Sequence, residues 1–305
     1  MKHLRRVAVG LLMLAVMYVL VRNVRRDGAA AMDAWRGVSV QWSWIILASI
    51  SAIVGQLIYV YGWIRLLADC GVALPPWPAT RMFFASNLGR YLPGGKAWQM
   101  GIVGVMAAEI GLPPATLAAT SLLTGIVGIG VGMLVLIVMG GAAIGVSRQW
   151  VVVPLFGVAC VLAAPQLLRL WPRAYAYVVV KWPHVATITN AGMWATVWTS
   201  TMNWLLWGLA LYLLAYGLIG DPGAGLSTYV AAWAGPFIAG LVAVFAPAGV
   251  GVRESAMTAV LHADGLGAGK TLVVVVIARI WGTVLEVVPA MLVLLVRRTR
   301  SPKAR

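Results

Sequence analysis

The sequence predicts an all-α, polytopic helical membrane protein with two re-entrant or broken helical hairpins arranged as an inverted repeat. Three observations carry this prediction. Of the 305 residues, 62% are hydrophobic and only 10% charged, whereas soluble domains hold about 45–50% apolar and about 25% charged residues. Apolar stretches of about 20 residues, the length a helix needs to cross the hydrocarbon core, recur along the chain. Two proline-glycine breaks, "YLPGGK" and "FAPAGVGVRE", interrupt apolar segments at matching places in two halves of the sequence.

The first element is expected over residues 4–21, within "MKHLRRVAVGLLMLAVMYVLVRNVRR". Arginines rather than a small-residue cleavage site follow its apolar run, so it reads as an uncleaved helix and not as a signal peptide. Further spans are expected at about 41–67, 114–141, 149–170, 191–218 and 270–296. Residues 77–110 and 226–264 behave differently: each holds two shorter apolar pieces joined by one of the breaks. At about 1.5 Å per residue the shorter pieces reach only part-way through a bilayer. Proline removes a backbone donor and glycine permits sharp reversal, which makes Pro93, Gly94 and Gly95, and Pro247 with Gly249, the candidate reversal points, the alternative being a simple proline kink in a full span.

Pro93 and Pro247 are 154 positions apart, and the same offset pairs Gly95 with Gly249, Gly111 with Gly265, Leu112 with Leu266, Gly128 with Gly282 and Trp44 with Trp198. Residues 1–305 therefore read as a single membrane domain with one repeat unit at about 41–141 and a second at about 191–296, the helices 4–21 and 149–170 being extra. Three spans (41–67, 114–141 and 149–170) separate the start of the first unit from the start of the second, so the second runs in the opposite sense, as in many transporters. Both termini then share one side, and their basic residues make it the cytoplasm. The loop 22–40, with Arg22, Arg25, Arg26 and Arg36, falls outside in this topology, against the usual distribution of positive charge.

The net charge is +15. Its clusters flank apolar runs, where anionic lipid head groups attract them, and no basic patch is interleaved with exposed aromatics, so nucleic acid is not an expected partner. Cys70 and Cys160 are expected to be buried, with no disulfide or metal spacing. His3, His184 and His262 lack paired ligand spacing, and "GLGAGKT" (265–271) is one residue short of a nucleotide-binding loop and follows no strand. No metal and no cofactor is expected. Asn203 and the tryptophans are expected in interhelical hydrogen bonds and interface belts.

Only eight residues are acidic. Glu109, Glu254 and Glu286 fall in apolar surroundings, as do Arg253 and Arg279, where an unpaired charge is expensive and marks a functional candidate. Arg279 and Glu286 lie seven apart, roughly 10.5 Å along one helix, and cannot pair directly. The expected partners are Arg253 with Glu286 and Glu254 with Arg279, or a rearrangement of these. Arg90 and Lys96 flank the first break. Lys96 and Arg253 stand in the opening turns of half-helices, where unpaired N–H groups and the positive dipole end suit a phosphate oxyanion.

At "NLGRYLPGGKAWQMGIV", and again at "PAGVGVRESAMTAVL" followed by "ARIWGTVLEVVP", the chain resembles the lysylphosphatidylglycerol synthase transmembrane-region family, or flippase-like integral membrane proteins. The matched positions are Pro247, Gly249, Gly251, Arg253, Glu254, Arg279 and Glu286, with Asn87, Pro93, Gly94 and Gly95 in the first motif. The resemblance implies a multi-pass protein of a bacterial cytoplasmic (inner) membrane that moves or displays lipids. A phosphate-bearing lipid or lipid-linked intermediate is the expected substrate, and a transporter rather than an enzyme the expected class. The alternatives are a membrane-embedded lipid head-group transferase and a non-catalytic membrane partner of an envelope-biosynthesis enzyme.

Overall fold

No water reaches the hydrocarbon core, so backbone groups there must pair within their own segment. The computed structural model, which describes residues 38, 40–92, 95–140, 145, 147–171, 173, 187–242 and 251–296, obeys this rule with helices and no strand among those residues. In chain order they are α1 (Trp42–Asp69), α2 (Pro76–Asn87), α3 (Gly95–Glu109), α4 (Pro114–Gly140) and α5 (Val152–Leu170). Then follow α6 (Asn190–Ile219), α7 (Leu226–Val242), α8 (Val252–Ala263) and α9 (Ala268–Leu295), with 3-10 turns over Leu88–Tyr91 and Arg148–Val151.

Four of these, α1, α4, α6 and α9, are long and apolar enough to cross a membrane. The span expected at 149–170 forms as the 3-10 turn Arg148–Val151 and α5, with Gln149–Cys160 as a shorter apolar stretch. Gln166 and Arg169 interrupt its last turns. The helix expected over 4–21 and both chain termini lie outside the described residues.

The centre is the antiparallel pair of α1 and α6. Gln41 N donates to Gly217 O at one end (2.8 Å), and Thr189 Oγ1 donates to Asp69 Oδ2 at the other (2.6 Å). Between them Ser51 Oγ donates to Leu206 O. Thr189 also caps α6 by accepting from Gly192 N, which satisfies one of the orphan donors of a helix start. Lipid tails are as apolar as leucine, so close packing rather than water exclusion joins such helices. Ala48, Ala52, Ala210 and Ala215 accordingly sit fully buried in the shared cluster with Leu211 and Leu214.

Both broken segments are hairpins. Ala79 and Met82 of α2 share a buried cluster with Val103 and Ala107 of α3. In the second hairpin, Thr228 Oγ1 near the start of α7 donates to Asp264 Oδ2 just past α8. Each hairpin ends in the same turn: Gly111 and Gly265 take φ of +75° and +91°, while Leu112 N donates to Ala107 O and Leu266 N to Leu261 O. Such a left-handed glycine closes a helix and satisfies its last carbonyls. The next helices then begin at Pro114 and Ala268, again 154 positions apart.

The two hairpins open on opposite faces. Trp63 Nε1 donates to Thr120 Oγ1 and Tyr59 OH to Thr124 O, so α4, and the α2–α3 hairpin before it, start at the face where α1 ends. Tyr229 OH donates to Pro222 O, and the α7–α8 hairpin opens beside that turn, at the face where α1 begins. Exposed tryptophans mark both levels, Trp42 and Trp150 at one, Trp77 and Trp171 at the other, as interface belts do.

Two expectations need correction. Cys70 is buried, but Cys160 is exposed on α5, because a small apolar residue on the rim of a membrane bundle is covered by lipid and not by protein. Glu109 is exposed at the end of α3 rather than enclosed in apolar surroundings.

The arrangement of faces is testable by single cysteines in a background lacking Cys70 and Cys160. Ser147→Cys and Asp221→Cys should react with an impermeant maleimide from one side, the outside of intact cells, and Ala73→Cys only after permeabilisation. Labelling of Ser147→Cys and Asp221→Cys from different sides would contradict the fold.

Candidate functional site

The site is assembled where the first hairpin's tip meets α9. The 3-10 turn over Leu88–Tyr91 tightens the chain just before the break. Buried Asn87 accepts from Arg90 Nη2 (3.2 Å) and from Gln99 Nε2 on α3 (3.3 Å), so its side chain bridges the two arms. Arg90 Nη1 donates to Glu286 Oε1 at 2.6 Å, and Tyr91 OH to Glu286 Oε2 at 2.8 Å. Charge-assisted bonds of this length are the strong ones. Glu286 is 9% exposed and holds the tip against α9.

The second hairpin contributes α8. Its N-cap, Gly251, has φ +87°, a conformation that glycine adopts at low cost. Glu254 Oε2 accepts from Gly251 N, placing a carboxylate at the positive end of the helix. Its other oxygen lies 2.9 Å from Arg279 Nε, the pairing expected. Arg253 takes no carboxylate among the described residues; its guanidinium carbon stands 4.3 Å from the centre of the Phe237 ring. The Arg90 guanidinium lies 5.5 Å from the same ring. Both helix breaks thus converge on one aromatic side chain of α7, and each cation gains from the negative face of its π-system.

The expected pair Arg253–Glu286 is therefore replaced by Arg90–Glu286. The reason is depth: the 3-10 turn carries Arg90 to the level of Glu286, and the carboxylate's two oxygens are taken by Arg90 and Tyr91. Three guanidinium groups, Arg90, Arg253 and Arg279, face two carboxylates, Glu254 and Glu286. The cluster carries a net positive charge. A cavity of about 470 Å³ including its mouth opens beside it, lined by Arg253, Glu254, Arg279, Glu286, Tyr91 and Phe237 among others.

Of the remaining expected site residues, Gly95 opens α3 and Lys96 follows it in the first turn. The Lys96 side chain, and Pro93, Gly94, Pro247 and Gly249, lie outside what is described. Tyr91, Gln99, Trp233 and Phe237 are additional participants that the sequence reading missed. A signal for one of them existed: Phe237 follows Phe83 by the repeat offset of 154.

A double-mutant cycle checks the exchange of partners. Arg90→Ala and Glu286→Ala should show a coupling of about 0.5–3 kcal/mol in unfolding free energy, the range for residues in contact, and Arg253→Ala with Glu286→Ala less than about 0.5 kcal/mol. Equal couplings would return Arg253 to Glu286.

No protein-family model matches the chain, and no curated protein matches it.

Proposed function

We propose that this membrane protein is a transporter-like protein that moves or displays a phosphate-bearing lipid, or a lipid-linked intermediate, across a bacterial cytoplasmic membrane. The observation that carries this reading is Arg253: a cation at the start of a half-helix, on the wall of a cavity at a helix break, with no carboxylate partner among the described residues. A phosphate oxygen supplies the missing charge, and guanidinium matches phosphate with paired N–H donors. The neighbouring N–H groups at the start of α8 favour an anion there too. The resemblance to the transmembrane region of lysylphosphatidylglycerol synthases points the same way. In that topology both termini are cytoplasmic, and the protein acts without a chemical step of its own.

In this reading, head-group phosphate docks on Arg253 while Glu254–Arg279 and Arg90–Glu286 keep the remaining charges compensated. Glu286 ties the first hairpin to α9, so exchange of its partner between Arg90 and Arg253 would loosen one hairpin as it secures the other. A ligand shifts such an equilibrium only by binding the two arrangements differently, and a phosphate competing with Glu286 for Arg253 does so.

The test is leaflet exchange of a fluorescent phosphatidylglycerol in proteoliposomes, read by quenching from outside. Wild-type protein should accelerate exchange. Arg253→Gln should slow it about tenfold or more, the loss of one charge-assisted contact, with little change in melting temperature, since no buried carboxylate is orphaned. Wild-type exchange rates in Arg253→Gln would overturn the proposal.

A further inference from the structure

Across Phe237, Trp233 and Glu286 lies a second, larger cavity, about 1050 Å³ including its mouth. It is the counterpart of the charged one under the repeat. Gln99 stands for Arg253, Gly125 for Arg279 and Ser121 for Val275, while Phe83 matches Phe237 and Val103 matches Met257, each pair 154 positions apart. The positions of Arg253 and Arg279 are neutral here. Arg90, which reaches the shared wall, is compensated by Glu286.

Three of the aromatic side chains of this cavity are fixed on one stripe of α4. Trp63 Nε1 donates to Thr120 Oγ1, Tyr59 OH to Thr124 O, and Trp204 Nε1 to Gly128 O. Their polar atoms are thus engaged, and the rings offer apolar surface. Gln56 and Asn203 also line the cavity, and among the described residues Gln56 Nε2 and Asn203 Oδ1 are buried and find no partner. Gln56 is only 4% exposed. The interhelical hydrogen bond expected of Asn203 is therefore not made by its amide oxygen.

A buried amide without a partner is unfavourable, and here one donor and one acceptor are left over together. A hydroxyl group both donates and accepts. Hydrocarbon would satisfy neither amide, and the charges that line the cavity, Arg90 and Glu286, already compensate each other. We infer that this cavity is a subsite for the uncharged, polyhydroxylated part of a lipid head group, a sugar or cyclitol ring whose hydroxyls reach Gln56 and Asn203 and whose C–H faces pack on the pinned aromatic rings. The inference rests on the lipid reading above and deepens it: the phosphate lies toward Arg253, the neutral ring on the other side of Phe237.

Binding of three lipids to the detergent-solubilised full chain, followed by intrinsic tryptophan fluorescence, tests it. Phosphatidylinositol carries both parts, phosphatidic acid only the phosphate, and monoglucosyl diacylglycerol only the polyol. Phosphatidylinositol should bind about tenfold tighter than phosphatidic acid. Gln56→Leu and Asn203→Leu should each remove that preference, weaken the glucolipid and move phosphatidic acid less than about twofold. Should Gln56→Leu fail to fold, Asn203→Leu carries the same comparison. Equal binding of the two phospholipids by wild type, or a preference that survives both substitutions, overturns the subsite and leaves the phosphate reading standing. Binding of the glucolipid that is lost in Gln56→Leu, without binding of phosphatidic acid, upholds the subsite and removes the phosphate reading. Free myo-inositol competing as strongly as the lipids would make the ligand a soluble polyol and overturn the assignment to a lipid.

Discussion

The site depends on one carboxylate. Glu286 receives Arg90 and Tyr91 from the tip of the first hairpin, and without that carboxylate the tip would carry a guanidinium into a low-dielectric interior with no counter-charge in contact. Charges removed from water are tolerated only when geometry and hydrogen bonding repay the desolvation. The rest follows from meeting that condition twice: Glu254 serves Arg279 and the start of α8, while Phe237 shields what Glu286 cannot reach. The hairpins themselves are held at their roots by side-chain and backbone hydrogen bonds, and at their tips by this small ionic group.

The spans were legible because apolar composition and length decide them. Expected boundaries 114–141 and 191–218 fall within one residue of α4 and α6, and those of α1 and α9 within two. The breaks were legible because proline and glycine act locally on the backbone. Pairing among charges was not, since it depends on how deep each tip stops, a tertiary quantity with no period in the sequence. Arg90 was recognised as a break residue but not as the partner of Glu286. Gln56 and Phe237, an amide and a ring within apolar helices, carry the same sequence signal as ordinary packing residues.

The inverted arrangement also explains how short helices can be useful in a bilayer. A segment such as α8, 12 residues long, cannot cross, and its freed backbone ends are acceptable only inside protein. Entering and leaving by one face puts those ends against their counterparts from the other hairpin, so each break supplies part of the polar lining that the other requires. Phe237 and Trp233, shared by both cavities, separate two environments of different polarity within one bundle.

The backbone repeats at a fixed offset, but the chemistry does not: Arg253 and Arg279 correspond to Gln99 and Gly125. Inverted halves of identical sequence would make any motion that exchanges their roles thermoneutral, with both end states equally populated. Placing Arg253, Glu254, Arg279 and Glu286 in the second half, against Arg90 alone from the first, removes that degeneracy. Under the transporter reading proposed above, the two end states would therefore differ in free energy, a bias set by side chains on a backbone that repeats.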